Sequence, residues 1–527
     1  MTALRGRRRS GISLPLFSCP STRSWGIGEI VDLLPLVSWL ASAGQRVAQL
    51  LPLNEMASGQ HSPYSALSAM AVDPIYVHLP SVADFSALGG EASLGPGDRD
   101  KLRRARQACR IEYALVRELK DAALAASFDR FREADWCRDT ARARLLEAFL
   151  AAQAWWVEEY ALFRAIQRRE GNRPWTEWSE PLRRRDPAAL DRARRELSRE
   201  VLFHQYVQWV ADEQWHQARR AAASHAVELF GDLPFMVDLD SVDVWTRQDH
   251  FRLDATLGAP PDAFSLTGQD WGMPVYRWDV MATDDFEWLR DRARRMADLY
   301  SGYRVDHLVG FYRTYGRPIG GGAPFFTPAA EPEQLANGER VLNRLRAAGA
   351  EIIAEDLGTV PDFVRESLAR LHVPGLCVFR WERDWQTAGQ PLRDPRVYPV
   401  MSVATSGTHD TEPLATWWDG ASREDRLRAA ALPTIRGLAG GQLHEQPFDP
   451  IVRDVVLEAL FASSSDLLLL PFVDVFGWRH RINLPATISE DNWTFRLPWP
   501  SDRLDEAADA RERQASLRAW AERHGRL

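Results

Sequence analysis

The chain has 527 residues, 45% of them hydrophobic and 26% charged, which is the balance of a globular protein long enough to bury a large core. Its net charge of −8 gives nucleic-acid binding no general electrostatic support, and no apolar run approaches the roughly 20 residues of a membrane span. Cys19, Cys109, Cys137 and Cys377 lie far apart with no CxxC pair, so neither a zinc ribbon nor a disulfide framework is indicated, and a reduced, cytoplasmic setting fits.

The basic start "RGRRRS" (5–10) runs into "GISLPLFS". That apolar stretch is too short for a secretory signal, is broken by Pro15 and has no A-x-A site after it. It reads as a solvated basic arm leading into a strand. Short apolar runs follow at 46–53, 226–238, 301–311, 350–358, 375–381, 400–410 and 466–476. Near-continuous apolarity suits strands covered on both faces, as in a parallel sheet. Helix-like segments at 331–349 and 360–372 separate some of these runs. The alternation predicts an α/β chain, and charged residues at the strand C-termini favour a (β/α)8 TIM barrel over an open sheet. The alternation breaks between about 96 and 225, an Arg-, Glu- and Ala-rich stretch read as an inserted helical subdomain. There Trp156, Tyr160 and Phe163 fall at i, i+4 and i+7, on one helix face, which is read as interhelical packing. Residues 411–465 read as a helical segment between late strands, and 502–527 as a closing helix. Residues 1–527 are therefore expected to form a single barrel with insertions.

The chemistry gathers at strand ends. In "SGYRVDHLVGF" (301–311), alternation puts Arg304 and Asp306 on one face, with Val305 and His307 on the other. A guanidinium beside Asp306 favours its charged form, which suits a nucleophile. It equally suits an ion pair that only holds the barrel together, and the fragment alone does not choose. In "AEIIAEDLG" (350–358), Glu355 and Asp356 end a strand and face opposite ways, so one enters the site and the other is read as an N-cap or turn residue. In "TSGTHDTEP" (405–413), His409 and Asp410 follow a third strand. Active sites of such barrels collect at this face. Two carboxylates plus a third acid is what retaining glycoside chemistry uses. Ligation of a divalent ion by these acids with His307 and His409 is the rival use, but no HxH or HxxxH pair supports it, and neither metal nor other cofactor is expected.

These motifs resemble those of the 4-α-glucanotransferases, the amylomaltases and disproportionating enzymes of glycoside hydrolase family 77. The likeness runs nearly end to end, through "SPYSALSAMAVDPIYV" (62–77), "RPWTEWSEPLRRRD" (173–186), "GDLPFMVDLDSVDVW" (231–245), "GAPPDAFSLTGQDWGMPVYRW" (258–278), the three strand ends above, and "RINLPATISEDNWTFRLP" (481–498). The resemblance implies an α-amylase-type barrel and metal-free double displacement on α-1,4-glucans and maltooligosaccharides. Asp306 would be the nucleophile, Glu355 the general acid/base and Asp410 the stabiliser of the transition state, with His409 beside it on the same sugar. Arg304 would orient Asp306, Asp232 would hold a sugar hydroxyl, Tyr64 would stack on that sugar, and Trp271 would line the acceptor side. The loop 260–271 would act as a partial lid.

The chain departs from the usual pattern at Ala263, where many members have Tyr, and at Ala486, where a Gly is usual. Val473 and His480 are also unusual. These positions bear on acceptor preference rather than on reaction type. A hydrolase of the same clan and a silent glucan-binding protein are the competing readings. The intact set of Asp306, Glu355 and Asp410 argues against the silent one. Neither oligomeric state nor preferred donor length is written in these motifs.

Overall fold

The leucine-, isoleucine- and valine-rich runs form strands in a computed structural model that describes residues 8–261, 267–440, 443–485, 487 and 489–527. The departures at Ala263 and Ala486, and residues 262–266 of the expected lid, lie outside the described residues. In chain order the strands are β1 (Arg9–Leu14), β2 (Val47–Leu50), β3 (Glu228–Leu233), β4 (Phe251–Ala259), β5 (Gln269–Tyr276), β6 (Gly302–Val305), β7 (Thr314–Pro318), β8 (Phe325–Thr327), β9 (Glu351–Ala354), β10 (Gly375–Val378), β11 (Ser402–Thr405) and β12 (Leu467–Pro471).

Eight of them form one all-parallel sheet in the order β10-β11-β12-β1-β2-β3-β6-β9. Such a sheet needs both faces covered, and here it curls into a nearly closed (β/α)8 barrel. The two end strands, β9 and β10, meet through the Ala354 N–H on the Pro374 carbonyl at 2.8 Å. The Leu376 N–H donates to Asp356 Oδ1, also at 2.8 Å. Asp356 is therefore not the N-cap or turn residue expected. Its side chain turns outward from the strand end, as alternation requires, and pairs a backbone donor of the neighbouring strand. Gly375 makes room for it, because a Cβ there would lie 2.4 Å from the carboxylate.

The barrel interior is layered. Val47, Phe230, Ile353, Val403, Leu467 and Leu469 fill its middle and are almost wholly buried. Burying side chains of this size is worth about 1.5–3 kcal/mol each. Gly302 lets the Phe230 ring lie across the axis, since a Cβ there would sit 2.6 Å from a ring carbon. Charge is confined to the two ends. At the N-terminal end Arg9 ion-pairs with Glu228 and, at 2.9 Å, with Glu351. The basic arm is thus not wholly solvated: Arg9 is 7% exposed, and Arg8 donates to the His524 carbonyl at 2.7 Å.

Between β2 and β3 the chain forms the helices Pro96–Gln107, Tyr113–Ala134, Ala141–Arg169, Pro187–Glu196 and Ser198–Ser224. Trp156, Tyr160 and Phe163 are buried there, and the Trp156 and Tyr160 rings meet at 5.9 Å. These helices reach the loop after β2. Tyr160 donates to Glu55 at 2.5 Å, Arg164 pairs with Glu55 at 3.2 Å, and Gln208 bonds both the N–H and the carbonyl of Val72. The segment that carries Tyr64 is held at both ends by the insertion. Further helices, Leu414–Gly420, Arg423–Ala431, Pro433–Ala439 and Pro450–Phe461, lie between β11 and β12, and Ala508–Arg523 closes the chain. Among the described residues no helix is long and apolar enough to cross a membrane.

Other features differ from expectation as well: the apolar run at 466–476 is strand only to Pro471 and continues as the short helix Phe472–Phe476. Residues 251–276 and 314–327, of which the sequence singled out only the motif that starts at Gly258, build a second, antiparallel sheet in the order β5-β4-β7-β8. The apolar run at 301–311 is not one strand. It ends at Val305, turns through His307 at a φ of +41°, and enters a short helix at Val309–Tyr312. A positive φ is strained for a residue with a Cβ, and such strain concentrates at functional sites.

Arg9→Ala would leave Glu228 and Glu351 facing each other at the barrel floor. We expect a loss of about 3 kcal/mol in stability, read by denaturant unfolding. An unchanged midpoint would show that the ion pairs are not holding that end together.

Candidate active site

The site forms where the C-terminal ends of β3, β6, β9 and β11 converge. Parallel register places Asp232 of β3 directly beside Arg304 of β6. Arg304 Nη1 bonds Asp232 Oδ2 at 2.5 Å, and Nη2 bonds Asp306 Oδ1 at 2.8 Å. Tyr64 donates its hydroxyl to the same Asp232 oxygen at 2.8 Å. Asp232 Oδ1 is buried with no hydrogen-bond partner. Burial pushes the Asp232 carboxyl up to about 6 even though Arg304 opposes the shift. A buried, unsatisfied acceptor is an open position for a ligand donor.

Glu355 stands one residue beyond β9, with Oε2 accepting from the His307 N–H at 2.8 Å and Oε1 from the Leu357 N–H at 3.1 Å. Burial pushes its carboxyl up to about 7, helped by the nearby negative charge of Asp306 and opposed by Arg304 and the two backbone donors. The unusual turn at His307 is therefore part of the site, since it aims a backbone N–H at Glu355. Burial also pulls the His307 imidazole down to about 4, which leaves it neutral. The edge of Trp271, carried by β5, meets the His307 ring at 4.9 Å and 84°.

On the other side, the loop after β11 presents His409 and Asp410. His409 Nε2 lies 3.3 Å from Asp410 Oδ2, and Asn483 Nδ2 donates to Asp410 Oδ1 at 2.6 Å. Burial pushes the Asp410 carboxyl up, but His409 and Asn483 more than reverse this and hold it down at about 2. Asp410 is thus a carboxylate while Glu355 keeps its proton near neutrality. The His409 ring stacks on Tyr64 with centroids 5.2 Å apart, which ties this loop to the Tyr64–Asp232–Arg304 set.

The structure brings Asp306, Glu355, Asp410, Tyr64, Asp232, Arg304 and His409 into one cluster, and Trp271 reaches it through His307. Sequence reading missed the residues that hold Asp410 from outside. Arg481 donates to the Asp410 carbonyl, Asn483 N–H donates to the His409 carbonyl at 3.2 Å, and Trp493 packs 5.6 Å from the His409 ring. All three lie in the segment 481–498, whose sequence had stood out without suggesting a role.

Chemically, the cluster offers an arginine-bonded acid, Asp306, a carboxyl on the adjoining strand end that holds its proton to about 7, and a carboxylate on the loop after β11. Two neighbouring acids in different protonation states are the usual mark of acid/base assignment.

A family model for 4-alpha-glucanotransferase matches residues 14–502. A 4-alpha-glucanotransferase of Chlamydia pneumoniae is 32% identical over 502 residues, covering 93% of this chain and 91% of that protein. One of Thermus thermophilus is 30% identical over 526 residues, covering 96% and 99%. Among solved structures, an amylomaltase of Streptococcus agalactiae in complex with acarbose superposes with a TM-score of 0.82 at 27% identity, covering 99% of this chain and all (100%) of that one.

Titration of 13C-labelled glutamate carboxyls is expected to show resonances moving near pH 7, since burial also raises Glu29 to about 7. One of them should vanish in Glu355→Gln. If none does, Glu355 does not hold its proton to neutrality.

Proposed function

The chain belongs to the 4-alpha-glucanotransferase family and is an enzyme of that kind; from this premise we propose that it moves α-1,4-glucan segments by retaining double displacement, through a covalent glycosyl-enzyme on Asp306. The observation that carries this reading is the pairing of Arg304-bonded Asp306 with a Glu355 carboxyl raised to about 7.

In the first step an Asp306 oxygen attacks the anomeric carbon. Glu355 gives its proton to the glycosidic oxygen, that bond breaks, and the leaving sugar departs neutral. In the second, Glu355 as carboxylate takes the proton from an acceptor 4-hydroxyl. The acceptor oxygen attacks the anomeric carbon and the ester to Asp306 breaks. The raised value of Glu355 has a definite sign: the proton needed for the first step is held up to pH about 7 and lost above it. Arg304 keeps Asp306 oriented in both steps and offsets the charge it regains.

Asp410 and the free Asp232 oxygen are the acceptors for hydroxyls of the sugar being transferred. Asp410 strengthens its hold as positive charge grows on the ring. Tyr64 and His409 form the aromatic wall beside that sugar, and Trp271 lines the acceptor side. Bonds from the 481–483 segment keep Asp410 in place while the sugar changes shape. Maltooligosaccharides and α-1,4-glucans are the substrates of this reading.

Incubation with maltotriose is the direct test. A ladder of longer maltooligosaccharides with release of glucose is the expected product pattern, lost in both Asp306→Ala and Glu355→Ala. Glucose and maltose without a ladder would mean transfer to water. An Asp306→Ala variant that still builds the ladder would remove Asp306 from its role.

A further inference from the structure

The loop that carries His409 and Asp410 begins at Ser406, just after β11, and ends at Leu414, the first residue of the helix Leu414–Gly420. Both ends are tied to one side chain. Asp474 lies in the short helix Phe472–Phe476 that follows β12 and is 1% exposed. Its Oδ2 accepts the Ser406 hydroxyl at 2.6 Å, and its Oδ1 accepts the Leu414 N–H at 2.7 Å.

The loop between is stiffened from within. Thr405 Oγ1 donates to the Gly407 carbonyl at 2.7 Å, and Thr411 Oγ1 donates to the Thr408 carbonyl at 3.0 Å. Gly407 permits this tight path, because a Cβ there would lie 2.4 Å from Thr411 Oγ1. A buried cation completes the arrangement. Arg380 is 5% exposed, donates to the Ser406 carbonyl at 3.3 Å and lies 3.6 Å from Glu412. Its guanidinium also lies 5.4 Å from the Trp417 ring. Asp474 and Glu412 are the negative charges that act on it. Burial pushes the Asp474 carboxyl up, while the bonds from Ser406 and Leu414 and the charge of Arg380 work against that shift.

We propose that Asp474 is a positioning residue for the reaction: by clamping both ends of the 406–414 loop it sets where Asp410 and His409 stand over the sugar. This rests on the reading of Asp410 as the carboxylate that stabilises the transition state. Asp474 touches no reacting atom. It acts through Asp410, and displacements well below an ångström at such a group cost rate. A carboxylate suits the task because it accepts from both ends at once, and charge-assisted bonds of this kind are stronger than neutral ones.

The test is a double-mutant cycle. Asp474→Asn keeps the shape, removes the charge facing Arg380, and puts an NH2 where one of the two bonds needs an acceptor. With maltotriose, kcat is expected to fall by about tenfold while KM stays within about twofold. With maltotriosyl fluoride, a donor reactive enough to register residual turnover and used for all four proteins of the cycle, the same substitution is expected to cost severalfold in the native background and less than about twofold in an Asp410→Asn background. The same factor in both backgrounds would mean a general structural role, and no loss in either would mean no role; both overturn the proposal. If Asp410→Asn alone keeps full turnover, the reading of Asp410 is what fails. Ser406→Ala removes one of the two bonds and leaves the carboxylate in place. It runs through the same cycle with an expected loss of about threefold, which decides the matter even if Asp474→Asn does not fold.

Discussion

Arg304 is held in the barrel mouth with 6% of its surface exposed. A buried guanidinium is costly unless carboxylates and hydroxyls surround it. It has Asp232, Asp306 and the Tyr64 hydroxyl within bonding distance, and each comes from a different constraint of the fold. Asp306 shares its face two residues on along the chain. Asp232 is its register partner on the neighbouring strand. Tyr64 arrives on the long loop after β2, which the helical insertion secures through Glu55 and Val72. The cation thus binds all three groups, and it leaves one oxygen of Asp232 unpartnered and one of Asp306 with only a long contact, 3.5 Å, to the Phe235 N–H.

The two ends of the barrel use the same device for different purposes. At the floor, Arg9 between Glu228 and Glu351 has little to offer a ligand, because both guanidinium branches are taken by carboxylates. At the mouth the balance is uneven. Burial raises Asp232 and Glu355 by more than the one buried cation offsets, with the charge of Asp306 adding to the shift, while Asp410, given His409 and Asn483, is lowered. Neighbouring carboxyls are thereby spread over several pH units, from Glu355 at about 7 through Asp232 at about 6 to Asp410 at about 2. The apolar layer of Phe230, Ile353 and their neighbours separates the two charged ends.

Much of this was legible in the sequence, for a definite reason. Strands of period two that end in Asp or Glu, repeated in a βα pattern, place acids at one rim, so Asp306, Glu355 and Asp410 are readable from local patterns. Strand length was not, because Leu308 and Phe311 are as buried in a turn and a short helix as they would be in a strand. The antiparallel sheet went unread because Gly258, Gly268 and the prolines between them look like loop chemistry, whereas Gly258 in fact allows β4 to approach the Gln269 carbonyl closely. Asp356 was misjudged because its partner, Leu376, sits across the seam of the barrel. The groups that hold Asp410 are the hardest case. Asn483 is 73 residues from it, and Asp474 is 68 residues from Ser406. Contacts that long leave no periodic trace.

Double displacement requires Asp306 to become covalently glycosylated. The measurement that tests this most directly is mass spectrometry of a Glu355→Gln variant after reaction with maltotriosyl fluoride, whose leaving group needs little help from an acid and whose adduct the variant deglycosylates slowly. A maltotriosyl adduct on the intact chain, mapping to the peptide that contains Asp306, is the expected result. Turnover with no adduct, or an adduct on any other residue, would contradict it.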